Sequence, residues 1–151
     1  MAKVANFTAA ATGDKSISLS VLKGKSVVLY FYPKDATPGC TTEAQQFRDL
    51  HAKFVKTGAV ILGVSRDSIK SHENFKTKMG LPFDLLSDPD EALCNQFGVI
   101  KMKNLYGKQV RGIERSTFVI DAKGTLRQEW RGVKADGHAE IVLEAVRALG
   151  A

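Results

Sequence analysis

Pro33, Thr37 and Cys40 stand in the order Pro-x-x-x-Thr-x-x-Cys, a spacing that can serve nucleophilic sulfur chemistry. Thr37 is a good N-cap, and Pro38 suits a first helical position, where no N–H is needed. Cys40 then falls in the first helical turn, among backbone N–H groups that have no partner within the helix. Those donors and the positive end of the helix dipole favour a thiolate over a thiol. Gly39 keeps side-chain bulk away from the sulfur, so a small electrophile can approach. Thr37 offers a hydroxyl three residues before the sulfur, able to donate to a substrate or accept from the thiol. Glu43, also near the helix start, stabilises the helix but opposes a thiolate, so a cation is required. The candidates are Arg48 on the same helix and Arg115, which precedes the apolar run Thr117–Ile120. A guanidinium at the end of a buried strand stays charged and offers a fork of donors. The opposing reading is that Cys40 is a small core residue at a helix start, since free cysteine is among the most buried residue types.

Several other chemistries fail on position. Thr37 stands where a Cys-x-x-Cys motif needs its first sulfur, which disfavours dithiol exchange. A Cys-x5-Arg phosphatase loop needs arginine at position 46, which is Gln46. His51 lies eleven residues after Cys40 on the same helix, some three turns away, too far to be its base. His51, His72 and His138 also lack the short spacings of metal ligands. Cys94, 54 positions after Cys40, has Leu93 and Phe97 as neighbours and reads as a buried core residue.

The elements that must position Cys40 are legible around it. Val27–Tyr32 is a continuous apolar and aromatic run that fits a strand buried on both faces. After Cys40, Ala44, Phe47, Leu50, Phe54 and Val55 recur at helical spacing and predict one apolar face. Lys56-Thr57-Gly58 ends that helix, and Ala59–Ser65 is a second buried strand. Strand, helix and strand with such short loops form a right-handed unit with a parallel strand pair. Residues 4–22 read as an N-terminal β-hairpin turning at Thr12-Gly13-Asp14. Asp67 or Ser68 can cap a helix through about Met79, with Ile69, His72, Phe75 and Met79 on one face. A short strand at 83–87, a helix at 90–97 and a Lys- and Gly-rich loop to about 112 follow. Ala122-Lys123-Gly124 joins two strands in a hairpin, and a final helix over 137–149 turns Ile141, Val142, Ala145, Val146 and Leu149 inward. The fold class predicted is α/β, a central mixed sheet flanked by helices on both faces.

The chain of 151 residues, with 44% hydrophobic and 25% charged residues, reads as one domain, residues 1–151, with a proper core. No apolar run approaches the length of a membrane span. The N-terminus shows neither a secretory nor a transit pattern, and two widely spaced cysteines make no disulfide framework. The expectation is a cytoplasmic protein, monomeric because no long apolar strip remains after the core is assigned. Net charge is +6, with a basic cluster from Lys101 to Arg111. That cluster has no nucleic-acid-binding motif and reads as a solvated loop.

Tyr30-Phe31-Tyr32-Pro33-Lys34-Asp35-Ala36-Thr37-Pro38-Gly39-Cys40-Thr41-Thr42-Glu43 and Gly112-Ile113-Glu114-Arg115-Ser116-Thr117-Phe118-Val119-Ile120-Asp121 together resemble a peroxiredoxin. The similarity is to the bacterioferritin-comigratory-protein (PrxQ) branch of the thioredoxin-like superfamily, and it covers the chain from Phe7 to the last helix. The resemblance implies a thioredoxin-like fold and a thiol-dependent peroxidase acting on hydrogen peroxide and organic hydroperoxides. By the same resemblance Cys40 would be the peroxidatic cysteine, becoming a sulfenic acid. Thr37 would orient the peroxide, Pro33 would shield the sulfur, and Arg115 would stabilise thiolate and leaving oxygen. Backbone N–H groups of Gly39 and Cys40 would add donors there. Arg48 and Glu43 are candidates for a supporting pair. No metal, flavin or nicotinamide is needed, because the sulfur itself undergoes the two-electron step.

The chain departs from many members of that branch, which carry a resolving cysteine five residues after the peroxidatic one; here that position is Gln45. Others place it on the following helix, and residues 68–79 contain no cysteine. The expectation is a one-cysteine cycle, with reduction by glutathione, glutaredoxin or thioredoxin. A two-cysteine cycle with Cys94 resolving stays open, as does a redox-sensing chaperone or binding module of the same fold.

Overall fold

All six residues of β3 (Ser26–Phe31) are buried, as a continuous apolar run at the centre of a sheet should be. The computed structural model describes residues 2–149. Met1, which opens the N-terminal stretch read above, lies outside the described residues, as do residues 150–151 and the side chain of Leu105. β1 (Thr8–Ala11) and β2 (Lys15–Ser18) form the expected N-terminal hairpin, and β3 leads into α1 (Pro38–Lys56) and then β4 (Ala59–Ser65). α2 (Ile69–Met79), β5 (Asp84–Ser87) and α3 (Ala92–Phe97) follow. The chain continues with β6 (Ile100–Leu105), β7 (Lys108–Ile113), β8 (Ser116–Ile120), β9 (Leu126–Arg131) and α4 (His138–Ala148).

The seven-stranded sheet has the order β2-β1-β5-β4-β3-β8-β9. β3, β4 and β5 run parallel, while β8 is antiparallel to β3. Alternation along β3 divides the core in two, because successive side chains point to opposite faces. Val28, Tyr30 and Tyr32 join α1, α2 and α4 in one cluster, which contains Cys40 and Phe47. Val27, Leu29 and Phe31 join α3 in the other, which contains Cys94 and Phe97. The two cysteines therefore lie on opposite sides of the sheet.

Three expectations from the sequence are corrected. The segment read as a loop to about 112 forms the β6–β7 hairpin, a separate two-stranded sheet in register from Ile100↔Ile113 to Leu105↔Lys108. Tyr106 (φ 51°) and Gly107 (φ 79°) make its turn, the paired positive φ of a type I′ connection. Exposure of most of the hairpin beyond its base (Met102 60%, the turn residue Tyr106 96%) leaves no apolar alternation to announce it. Val55 and Ile141, assigned to inward faces, are 54% and 55% exposed. On α4 the buried stripe is His138, Ala139, Val142, Leu143 and Val146, so Leu143 takes the place assigned to Ile141.

Candidate active site

β3 and β8 are paired with Phe31 opposite Ser116. That register brings the residue before β8, Arg115, beside the chain leaving β3 towards α1. Thr37 occupies the N-cap position of α1, with Pro38 in its first turn. The first backbone bond of the helix is Thr41 N–H to Thr37 O, 2.9 Å, so the N–H groups of Gly39 and Cys40 precede the intrahelical ladder. Arg115 then donates through Nη2 to Cys40 Sγ at 3.4 Å and through Nη1 to Glu43 Oε1 at 2.6 Å. One guanidinium is forked between a sulfur and a carboxylate three residues apart on the same helix. A Cβ at Gly39 would lie 3.0 Å from Arg115 Nη2. The glycine read as access to the sulfur thus also admits the guanidinium.

The electrostatics follow from burial. Cys40 is 2% exposed and Glu43 is fully buried. Burial pushes the Glu43 carboxyl up to about 7, against the charge and hydrogen bond of Arg115, which pull it down. Burial opposes the Arg115 charge, but Glu43 and then Cys40 outweigh it and hold the guanidinium above its ordinary value. Among the described residues, Oε2 of Glu43 has no hydrogen-bond partner, and neither has the buried hydroxyl of Tyr30. The pairing of Glu43 with Arg48 is overturned, because Arg48 bonds Asp49 Oδ1 (3.0 Å) and Met79 O (2.8 Å) instead. Residues five apart on a helix do not share a face, whereas residues three apart do.

The Thr37 hydroxyl makes no cap to its own helix; it donates to Lys34 O at 2.9 Å, which leaves its lone pairs free to accept. Pro33 is half-buried at the start of the same loop. The loop is anchored by Asp35, whose carboxylate accepts from Tyr32 OH (2.6 Å) and Ser71 Oγ (2.8 Å) and contacts His72 Nδ1 at 2.7 Å. Burial pushes the Asp35 carboxyl up, but the hydrogen bonds of His72 and Tyr32, with the charge of His72, bring it below its usual range. The backbone N–H of Asp35 donates to Asp67 Oδ2 at 2.9 Å. Asp35, Asp67 and His72 could be read as ligands for a metal ion. Their atoms are already bonded to one another and to Tyr32, Ser65, Ser71 and the Leu86 carbonyl, so the cluster is a closed hydrogen-bond network.

Cys94 sits in a different field. Burial pushes its thiol well up, and Asp88 beside it pushes further. The Asp88 carboxylate accepts from Leu93 N–H (3.0 Å) and Cys94 N–H (2.7 Å), holding the start of α3. His51 packs its ring against Phe83, centroids 6.3 Å apart. His138 contacts Thr117 Oγ1 at 2.8 Å, and burial with the charge of Arg115 pushes it down to about 4.

The fork at Arg115 and the Asp35–His72 network are what reading the sequence missed. The first had a signal: Glu43 lies three residues from Cys40, on the same face, and needs a cation when buried. The second had none, since residues 35, 67 and 72 are joined only by the packing of α2 on the sheet.

A family model described as the AhpC/TSA family matches residues 1–129. Peroxiredoxin Bcp of Xanthomonas campestris is 57% identical over 137 residues, 91% of this chain and 86% of that protein. Peroxiredoxin Bcp of Bacillus subtilis is 52% identical over 133 residues, 88% and 85% of the two chains. The solved bacterioferritin comigratory protein of X. campestris, studied for its alkyl peroxide reduction activity, superposes with a TM-score of 0.92 at 53% identity, over 96% of this chain and 92% of that one. BcpB of Mycobacterium tuberculosis gives 0.86 at 36% identity, over 97% and 95%. With this family match and a cysteine at a helix start under a forked arginine, the chain belongs to the AhpC/TSA family, in its Bcp/PrxQ branch of thioredoxin-fold, thiol-dependent peroxidases.

Proposed function

We propose that Cys40 is the residue that attacks the hydroperoxide, and that the enzyme runs a one-cysteine cycle. The observation that carries the reading is the contact of Arg115 Nη2 with Cys40 Sγ, since a guanidinium at that distance favours negative charge on sulfur. The thiolate attacks one peroxide oxygen; the S–O bond forms, the O–O bond breaks, and the other oxygen leaves as an alkoxide or hydroxide that takes a proton. Sulfur is oxidised by two electrons to the sulfenic acid. Arg115 and the N–H groups of Gly39 and Cys40 stabilise the charge that moves to the leaving oxygen. Thr37 accepts the hydrogen of the incoming peroxide, which its bond to Lys34 O leaves it free to do. Pro33 covers the sulfur from solvent.

A first external thiol then attacks the sulfenic sulfur, releasing water and leaving a mixed disulfide. A second thiol releases Cys40 and departs as a disulfide. Glutathione, glutaredoxin and thioredoxin are the classes of reductant that fit. Support for an external reductant comes from the second cysteine: Cys94 packs in the cluster on the far side of the sheet, and bridging needs Cα atoms within about 7 Å. We further propose that the enzyme acts as a monomer in the cytoplasm, where thiols are kept reduced. No helix among the described residues is long and apolar enough to cross a membrane.

Intact mass after one equivalent of hydroperoxide tests the cycle. The expected product carries one added oxygen on Cys40 and becomes a mixed disulfide when glutathione is added. A monomer that loses two hydrogens through a Cys40–Cys94 bond would replace this reading with a two-cysteine cycle.

A further inference from the structure

The mechanism above leaves a proton unassigned: the leaving oxygen must gain one inside a site that Cys40 and Glu43 share with one guanidinium. The groups around Glu43 limit the choice. Arg115 is charged and bonded to it, and Cys40 lies one turn away on α1. From β3, Tyr30 stays a phenol, because burial and then the charges of Glu43 and Cys40 oppose its ionisation. Asp35 on the preceding loop is ionised but satisfied by its own donors. Lys103 on β6 donates to Ile113 O at 2.6 Å, and burial, then Arg115, holds it below its ordinary value. His138 on α4 is uncharged at neutral pH. Among the described residues Arg115 is the one cation hydrogen-bonded to either acid, and full ionisation of both would leave that pair with an excess buried negative charge and Oε2 unpartnered. An uncompensated buried charge is strongly disfavoured.

We propose that Glu43 holds the proton that the reacting sulfur lacks, carried on Oε2 beside the Cys40 thiolate and surrendered when the sulfur becomes a neutral sulfenic acid. Oε2 is the atom because Oε1 already accepts from Arg115 Nη1. Before the reaction the trio is thiolate, guanidinium and carboxylic acid; afterwards it is sulfenic acid, guanidinium and carboxylate. The buried charge sums to zero in both states. The proton lost by Glu43 Oε2 is the one gained by the leaving oxygen, while Arg115 keeps its own protons and holds the carboxyl and the sulfur together through its two donors. Release of Cys40 by the second external thiol returns a proton to Glu43. Glu43 thus acts through Arg115 as a positioning and proton-holding residue. Burial, which raises its carboxyl to about 7, agrees with that role.

This inference rests on Cys40 as the attacking residue, and the test separates the two. Wild-type protein and Glu43→Gln are mixed with one equivalent of tert-butyl hydroperoxide in weakly buffered, mildly acidic solution containing a pH indicator. Sulfenic acid is counted by trapping in the same samples. The amide keeps an oxygen to accept from Arg115 but has no proton to give. The wild type is expected to draw almost no proton from solvent per sulfenic acid formed, and Glu43→Gln close to one. The rate of wild-type oxidation should also decline above neutral pH as Glu43 ionises and competes for Arg115, a limb missing in Glu43→Gln. Equal proton uptake in both proteins would overturn the proposal. If Glu43→Gln does not fold, the wild type alone decides: the reduced-minus-oxidised infrared difference must show loss of a protonated carboxylic acid band, and a spectrum without it sinks the idea. Absence of any trapped sulfenic acid in the wild type would instead refute Cys40 as the attacking residue.

Discussion

Cys40 and Cys94 are both free and both buried, yet the structure gives them opposite surroundings. Cys40 stands in the first turn of a 19-residue helix, with a guanidinium at 3.4 Å. Cys94 stands inside a six-residue helix, with the Asp88 carboxylate gathering the N–H groups around it. Burial alone disfavours a charged sulfur. What separates them is the sign of the charge that burial leaves unscreened: positive at Cys40, negative at Cys94. On the proposed cycle, the side of the sheet on which a sulfur lies decides whether it meets a cation or a carboxylate.

The comparison breaks most easily at the sulfurs. Cys40→Ser should reduce hydroperoxide consumption, followed in steady state with supplied thiol, to the uncatalysed level, while Cys94→Ser keeps most of the wild-type rate. A Cys94→Ser protein that still forms sulfenic acid but no longer turns over would show that Cys94 takes part. Arg115→Ala should slow the reaction with peroxide by about a hundred- to a thousandfold, the usual loss for one preorganised donor at a developing charge. Rapid-mixing kinetics measure it. Arg115→Lys should recover only part, since an ammonium cannot fork between Sγ and Oε1.

A smaller effect reports the same positive field through His138. Its folded value of about 4 lies below the ordinary 6.5, so between those values the unfolded chain binds the proton first. Stability contributed by the neutral ring is complete above about 6.5 and is lost as pH falls towards 4, by at most ~3–4 kcal/mol. Denaturant titrations of wild type and His138→Gln across that window should converge as pH falls. In Arg115→Ala the His138 titration, followed by NMR, should move back upward. The smallest effect is at Asp88. Asp88→Asn should cost about 1–2 kcal/mol of stability, since a charged acceptor of two backbone N–H groups becomes neutral. The same change should make Cys94 easier to alkylate and leave peroxide reduction unaltered. A change in the peroxidase rate would mean that the two sides of the sheet are not independent.

The sequence made the Cys40 side legible because its determinants are local. Val27–Tyr32, the Thr37-Pro38-Gly39-Cys40 turn and the apolar face of α1 lie within one strand–turn–helix, where period and capping chemistry act over a few residues. The predicted strands at 59–65 and 116–121, the N-terminal hairpin and Arg115 as a candidate cation were recoverable for similar reasons. Val55 and Ile141 were misassigned because periodicity defines an apolar face only to within a residue or so, and contact with the sheet chooses its centre. The β6–β7 hairpin escaped because it buries little beyond its base, so nothing forces its side chains to alternate.

Read alone, the amino-acid order determined that a sulfur would sit at a helix start after a buried strand, with a glycine and a threonine beside it. Chain order carries that much because cap, turn and first helical residue are neighbours. Only the tertiary structure decided which arginine meets the sulfur, that Glu43 shares it, that Asp35 ties the loop to His72, and that the sheet stands between the two thiols. Those outcomes depend on strand register and on burial, and both are properties of residues brought together from opposite ends of the chain.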